Sequence, residues 1–134
     1  MLTQARIAGR LPCQDLERAR RFYSEKLGLD PIEERPGGLR YEGAAGEFAL
    51  YQSAGSSPGT FTQLAFDVDD IEAVVGALRQ RGVEFEDVDV PGLKTVAGIA
   101  EVEGNYPSKK SSGELAAWFR DSEGNLLGVG QRLP

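Results

Sequence analysis

An internal repeat constrains the fold of this chain more than any other feature of its sequence. Residues 15–28 and residues 70–82 each show helical spacing of apolar side chains, with an aspartate at the start and a glycine at the end. The aspartate and the glycine are thirteen residues apart in the first stretch and twelve in the second. An aspartate caps the free amides of a first helical turn, and a glycine suits the left-handed end. The sequence therefore predicts two related helices, the second capped by Asp69 or Asp70.

Short segments with strand character flank both predicted helices. In the first half they are residues 4–11 before the helix and residues 31–35, 38–42 and 47–52 after it. In the second half they are residues 61–68 before the helix and residues 84–88, 115–120 and 126–131 after it. Each half is thus predicted to run strand, helix, strand, strand, strand. Residues 53–60, with the sequence SAGSSPGT, are typical of a flexible connector.

The second half also carries an insertion, residues 91–113. It consists mostly of turn-forming residues, with one apolar stretch at residues 96–102. Two interpretations stay open: a surface loop, or a lid over a cavity, because long loops in small domains are often binding loops.

Composition excludes several classes of function. The chain has no histidine, so it lacks the commonest metal ligand and the commonest general base, and a Ser–His or Cys–His nucleophile pair is impossible. Its single cysteine, Cys13, cannot form an internal disulfide, and we expect it to be a small core or strand-end residue. A net charge of −6 argues against nucleic acid as a partner.

Length and hydropathy indicate the organisation of the chain. With 134 residues, 40% of them hydrophobic, we expect a single domain over residues 1–134, with modules at about 4–52 and 61–131. No apolar run approaches eighteen residues, and the first ten residues do not resemble a signal peptide. We therefore expect a cytoplasmic protein that has no membrane partner.

Three segments carry a family resemblance. Residues 15–29 (DLERARRFYSEKLGL), 61–85 (FTQLAFDVDDIEAVVGALRQRGVEF) and 116–131 (AAWFRDSEGNLLGVGQ) resemble the vicinal oxygen chelate superfamily, which includes glyoxalase I, bleomycin-resistance proteins and extradiol dioxygenases. The resemblance implies an α+β fold in which two tandem βαβββ modules form an open curved sheet or cup. It also implies a homodimer.

Enzymes of that superfamily hold a divalent metal with ligands from four strands. The resemblance carries these ligand positions onto Ala8, Ala49, Gln63 and Gly128, or onto Tyr51 instead of Ala49 if the register shifts by two residues. Of the first four, Gln63 alone has a side-chain donor atom, whereas a catalytic site needs about three strong ligands. We therefore expect no bound metal and no other cofactor.

The ligand-binding residues that we predict are Arg10, Tyr51, Gln63 and Trp118. Because strand side chains alternate between faces, the residues two positions from the ligand positions should also face the cavity. These are Arg6, Arg10, Tyr51, Phe61, Ala65, Leu126 and Gly130. Core or dimer packing stays open for Trp118 and Tyr51, and a salt bridge stays open for Arg10.

These features predict a metal-independent binding protein of the glyoxalase and bleomycin-resistance type. It would sequester a small, aromatic or antibiotic-like organic ligand, and so confer antibiotic resistance. One alternative is a lyase, isomerase or dioxygenase-like enzyme with a nonstandard site that uses Tyr23, Tyr41 or Tyr51 as acid or base. A third interpretation is a module that contacts another protein through Tyr106 and Lys109–Lys110.

Overall fold

Both helices begin and end close to the predicted residues in the computed structural model, which describes residues 1–103 and 111–134. Helix α1, Leu16–Leu27, starts after Asp15, whose carboxylate accepts a hydrogen bond from the Arg18 amide at 3.0 Å, and it ends at Gly28 in a left-handed conformation. Helix α2, Ile71–Gln80, starts after Asp70, which accepts from the Ala73 amide at 3.1 Å. The repeated capping is confirmed, and Asp70 is the second cap.

The first sheet contains four strands: β1 (Gly9–Cys13), β2 (Glu33–Arg35), β3 (Gly38–Gly43) and β4 (Gly46–Gln52). Their order is β1-β4-β3-β2, and β1 is parallel to β4. The segment predicted as the first strand, residues 4–11, becomes a strand only at Gly9, and β1 extends to Cys13; a short 3₁₀ turn, Leu2–Gln4, precedes it. Cys13 is fully buried, as expected.

The second sheet contains six strands: β5 (Thr62–Asp67), β6 (Asp89–Val90), β7 (Leu93–Val96), β8 (Ile99–Glu103), β9 (Gly113–Arg120) and β10 (Leu126–Arg132). Their order is β5-β10-β9-β8-β7-β6, with β5 parallel to β10. The part β5-β10-β9-β8 repeats the arrangement of the first sheet. The predicted α+β fold with two tandem βαβββ modules is therefore confirmed.

Two predictions for the second half are wrong, one of a strand and one of a loop. Residues 84–88 form no strand and make one isolated bridge, between Phe85 and Phe119. The strand that corresponds to β2 is β8, which lies in the segment expected to be a loop, residues 91–113. Ala97 and Gly98 both have positive φ, at 52° and 83°, and turn the apolar stretch back on itself as a hairpin between β7 and β8. Tyr106 and Lys109–Lys110 lie outside the described residues.

The hairpin turn provides a first test of the structure. A two-residue turn with both φ values positive favours Asn-Gly, whereas Ala97 adopts the left-handed region at a steric cost of about 1 kcal/mol. We expect Ala97→Asn to raise the free energy of unfolding by about 0.5–1 kcal/mol, measured by urea denaturation. Ala97→Val is the opposing control and should lower it, because a β-branched residue fits this conformation worse still. Equal stabilities for both variants would argue against this turn.

The described residues divide into two compact units. The first contains residues 1–58 and 122–125, and the second contains residues 59–121 and 126–134. An aromatic cluster of Tyr23, Tyr41 and Phe48 fills the core of the first unit, with the Tyr41 and Phe48 rings stacked at 5.1 Å. The unit boundary near residue 58 lies inside the predicted connector. None of the described helices is long and apolar enough to cross a membrane.

Candidate functional site

A cleft lies on the sheet of each unit, and the cleft of the first unit is set by side-chain alternation in β1 and β4. Leu11 and Leu50 are buried in the core, while the residues between the core positions point to the opposite face. There Arg10 lies opposite Ala49, which also pairs with Arg40 of β3. We call the resulting space of about 430 Å³ the Arg10 cleft; its lining is Arg6, Ala8, Gly9, Arg10, Arg40, Glu47, Phe48 and Ala49.

Arg40 is held by carboxylates. Its guanidinium donates to Glu33 and Glu47 at 3.0 Å each, and to Glu42 at 3.4 Å. The hydrogen bond from Arg40, together with the one from Arg35, lowers the pKa of Glu33, and the same hydrogen bond to Glu33 raises the pKa of Arg40. The charge of Arg40 is therefore balanced within the sheet.

Tyr51 lies on the same face of β4 as Ala49, paired with Pro12 and Gly38. Its side chain is 40% exposed, and Tyr51 is outside the set of described residues that line the Arg10 cleft. The predicted grouping of Tyr51 with Arg10 therefore holds for the face of the sheet, and the part of Tyr51 in ligand binding stays a prediction.

The second cleft, of about 450 Å³, lies in the second unit, and we call it the Trp118 cleft. Phe61, which is 58% exposed, and Trp118 are its aromatic walls. The other lining residues come from the segment before β5 and the start of that strand, the segment before β6, the first residue of β7, and the paired ends of β9 and β10: Gly59, Thr60, Thr62, Glu86, Asp87, Val88, Leu93, Arg120 and Leu126.

The indole of Trp118 has a fixed orientation. Its Nε1 donates a hydrogen bond to the Thr62 hydroxyl at 3.1 Å. On the neighbouring strand Gly128 has no side chain, and a Cβ added there would lie 3.6 Å from Cδ1 of the indole. This distance is an ordinary van der Waals contact, so a methyl group at Gly128 would fit beside the indole. Because Nε1 already has a partner, the ring face of Trp118 is what it can offer to a ligand.

Arg120 closes one side of the Trp118 cleft. Its guanidinium donates to the carbonyl of Gly59 at 2.8 Å and to the carboxylate of Glu86. The charge of Arg120 is therefore paired, and the aromatic walls dominate this part of the cleft.

The comparisons with known proteins agree with this geometry. The sequence matches the family profile of the Glyoxalase/Bleomycin resistance protein/Dioxygenase superfamily over residues 3–129. The chain belongs to this superfamily. No curated protein matches the sequence.

Several solved structures share the fold of this superfamily member. A glyoxalase/bleomycin resistance protein/dioxygenase from Alicyclobacillus acidocaldarius superposes with a TM-score of 0.72 at 14% identity, covering 98% of this chain and 93% of that one. TnmS3, an antibiotic binding protein from Streptomyces sp. CB03234, gives a TM-score of 0.62 at 26% identity, with 94% and 93% covered. Lactoylglutathione lyase from Agrobacterium tumefaciens gives 0.64 at 17% identity, with 96% and 93% covered.

The metal-ligand positions of the superfamily do not fit a metal in this chain. Ala8, Ala49 and Gly128 offer no side-chain donor atom, and the side-chain oxygen of Gln63 accepts a hydrogen bond from the Leu126 amide at 3.3 Å. Gln63 is the extra residue of β5 at the bulge opposite Leu126 and Leu127, so this contact holds the irregular pairing together. Among residues 1–103 and 111–134, no three or more His, Cys, Asp or Glu residues are grouped so that they could hold a metal. A metal-free protein stays our prediction, as does a role for Gln63 in ligand binding.

The tyrosines considered as acid or base differ in access to solvent. Tyr23 and Tyr41 are fully buried in the aromatic core. Burial raises the pKa of Tyr41 to about 12, so its hydroxyl stays protonated at neutral pH. Tyr51 is the exposed member of the three.

Sequence reasoning did not identify Arg40, Thr62 or Arg120 as parts of the clefts. Arg40 follows Gly38 by two residues, so alternation along β3 places it on the Arg10 face once the pairing with Ala49 is known. Thr62 follows Phe61, which the sequence predicts to face the cavity. The bulge at Gln63 is what directs the Thr62 side chain towards Trp118. No pattern in the sequence indicated the contact of Arg120 with Gly59, 61 residues away.

Proposed function

We propose that this superfamily member is a metal-independent small-molecule-binding protein that holds an aromatic, antibiotic-like ligand in the Trp118 cleft. The observation that carries the proposal is the pair of aromatic walls. Trp118 is oriented by Thr62, and Phe61 leaves more than half of its surface exposed beside the same cleft. A ligand that stacks between such rings removes their apolar surface from water without requiring them to reorganise.

The size and chemistry of the cleft support an organic ligand. A volume of about 450 Å³ lies within the range of about 300–1,000 Å³ that is typical of small-molecule sites. The lining also includes the polar residues Thr60, Glu86 and Asp87, as expected for a site in which a few polar groups orient an aromatic ligand.

Similarity to TnmS3 supports the same class of ligand. That protein is an antibiotic binding protein, and 26% identity over 94% of this chain exceeds that of the two other structures compared above. The chemistry of the ligand positions also favours binding over metal catalysis, because the strong donors that a catalytic metal needs are missing from Ala8, Ala49 and Gly128.

Tryptophan fluorescence tests the proposal directly, because Trp118 is the only tryptophan in the chain. Titration with a panel of aromatic metabolites and antibiotics should give saturable quenching for at least one compound, on protein whose metal content is measured in the same sample. Phe61→Ala should weaken that compound about threefold to tenfold, the loss of one aromatic contact. Val90→Ala, which removes another exposed apolar side chain outside the cleft lining, is the matched control and should leave the affinity unchanged.

Two results would overturn the proposal. Absence of quenching across the panel would argue against an aromatic site at Trp118. A divalent ion that is bound stoichiometrically and resists dialysis would indicate a metal-dependent protein. Mass spectrometry of the recovered compound separates binding from turnover: an unchanged mass supports sequestration, and a product supports the enzyme alternative.

The homodimer implied by the family resemblance is part of the proposal. Ile7 and Val96 are large apolar side chains with more than two thirds of their surface exposed, and such residues favour association with a partner. Analytical ultracentrifugation should give twice the mass of the chain, and the monomer mass at micromolar concentration would contradict this.

A further inference from the structure

We infer that the Arg10 cleft is a second binding site, which takes a small organic anion through the guanidinium groups of Arg6 and Arg10. The two arginines line the same cleft, with Ala8 between them in the sequence. This site lies in the first unit, and its argument is independent of the aromatic ligand proposed for the Trp118 cleft.

The three arginines that line this cleft differ in whether a carboxylate balances their charge. Arg40 is neutralised by Glu33 and Glu47. In the described part of the chain, the guanidiniums of Arg6 and Arg10 make no ion pair and no hydrogen bond. Glu47, the carboxylate in the lining, is already engaged by Arg40. The cleft therefore presents two positive charges without partners, in a protein whose overall charge is −6.

Small residues leave room for the anion beside these charges. Arg10 lies opposite Ala49, and Ala49 lies opposite Arg40, so a methyl group separates the two arginines across three strands. Ala8 and Gly9, the two residues before Arg10, are also small and line the same cleft. An anion on Ala49 can therefore accept hydrogen bonds from Arg10 without displacing a larger side chain, and guanidinium groups pair with oxyanions in a planar, bidentate geometry.

The lining favours an organic anion over a bare inorganic ion. The volume of about 430 Å³ greatly exceeds the space that one oxyanion fills, and the methyl groups of Ala8 and Ala49 give part of the remaining surface an apolar character. A carboxylate or phosphate on an apolar body uses both the charges and this surface.

Matched probes test the inference. Benzoate and benzamide share a ring and differ in charge, so ¹⁵N-labelled protein titrated with each should show saturable shifts of the Gly9 and Ala49 amides with benzoate only. Phenyl phosphate should behave like benzoate, and inorganic phosphate should bind more weakly than phenyl phosphate. Raising the salt concentration should weaken the anions, because the contacts are partly exposed.

Charge-removing variants assign the site. Arg10→Gln should weaken benzoate about tenfold or more, and Arg6→Gln with Arg10→Gln should abolish saturable binding. Arg21→Gln removes the same charge from an exposed position on α1 and should leave the affinity within about twofold. Unchanged quenching of Trp118 by its own ligand in the double variant would show that the two sites are separate.

Three results would overturn the inference: equal binding of benzoate and benzamide, an equal loss of affinity in Arg21→Gln, or equal affinity for inorganic phosphate and phenyl phosphate. The first result indicates an apolar site and the second a nonspecific charge effect. The third indicates a bare oxyanion site in which the apolar surface contributes nothing. Each can occur whether or not an aromatic compound quenches Trp118, so failure here is distinguishable from failure of the proposed function.

Discussion

Replacement of Glu123 by alanine is expected to lower the free energy of unfolding by on the order of 3 kcal/mol. The side chain of Glu123 is 1% exposed and accepts hydrogen bonds from the backbone amides of Gln14 and Asp15, at 3.0 Å each, immediately before α1. Arg18 donates twice to the same carboxylate, at 2.8 Å and 3.0 Å. The alanine variant would leave these amides without their acceptor, and an unsatisfied buried donor costs about 1–3 kcal/mol.

Glu123 should also make stability depend on pH. Burial raises the pKa of Glu123, but the hydrogen bonds from Arg18, the Asp15 amide, Ser122 and the Gln14 amide outweigh it and lower the pKa from 4.5 to about 2. A carboxyl whose pKa is depressed on folding stabilises the protein above its unfolded pKa and loses that stabilisation as the pH falls. The contribution of Glu123 is therefore complete above about pH 5 and decreases towards pH 2.

Urea denaturation of wild type, Glu123→Gln and Glu123→Ala at several pH values measures both effects. The difference between wild type and Glu123→Gln should shrink as the pH falls from 7 to about 3, because the unfolded wild type binds a proton at this carboxyl below its usual pKa of 4.5 while the folded state stays ionised until about pH 2. Glu17→Ala changes an exposed acid of the first turn of α1 and serves as the control, with an effect below about 1 kcal/mol. A difference that stayed constant with pH would contradict the depressed pKa.

A second large effect is expected at Phe119, and its neighbour Trp118 provides the matched comparison. Phe119 is 1% exposed and packs edge-on against Phe85, with ring centroids 5.5 Å apart. Phe119→Ala should cost about 3–5 kcal/mol of unfolding free energy, because it removes a buried ring and leaves a cavity. Trp118 points to the other face of β9 and lines the cleft, so Trp118→Ala should cost less than half of that.

The two substitutions should affect ligand binding in the opposite order to their effects on stability. Equilibrium dialysis with the compound that quenches wild-type fluorescence should detect no binding to Trp118→Ala, whereas Phe119→Ala should retain affinity at temperatures where it is folded. If both variants lose stability equally and Trp118→Ala binds no worse than Phe119→Ala, Trp118 is a packing residue. That outcome would favour the core interpretation left open for this tryptophan.

The two clefts differ in chemistry although they lie on corresponding sheets of the repeat. Phe61 and Trp118 dominate one, and unpaired arginines dominate the other. Residues that differ between the halves account for this: β1 carries Arg10, whereas β9 and the residue before β5 carry the aromatic rings. A duplicated fold can therefore present two surfaces that select different chemical groups.

Local signals in the sequence were sufficient for the helices, the repeat and the family. Asp15, Gly28 and Asp70 act within one turn of their own residues, so their capping roles follow from neighbours along the chain. Alternation likewise placed Arg10 and Ala49 on one face, because the side-chain direction in a strand depends only on the local backbone. The missing donors at Ala8, Ala49 and Gly128 were also evident without a structure.

Only the tertiary structure decided contacts between distant residues. Glu123 and Arg18 are 105 residues apart, and their pairing arises when the turn before β10 comes against the start of α1. The partner of Trp118, Thr62, depends on a bulge in β5, and the identity of the strand that corresponds to β2 in the second module depends on two positive φ values at Ala97 and Gly98. Register and side-chain pairing across strands are set by packing of the whole sheet, and no local pattern in the sequence encodes them.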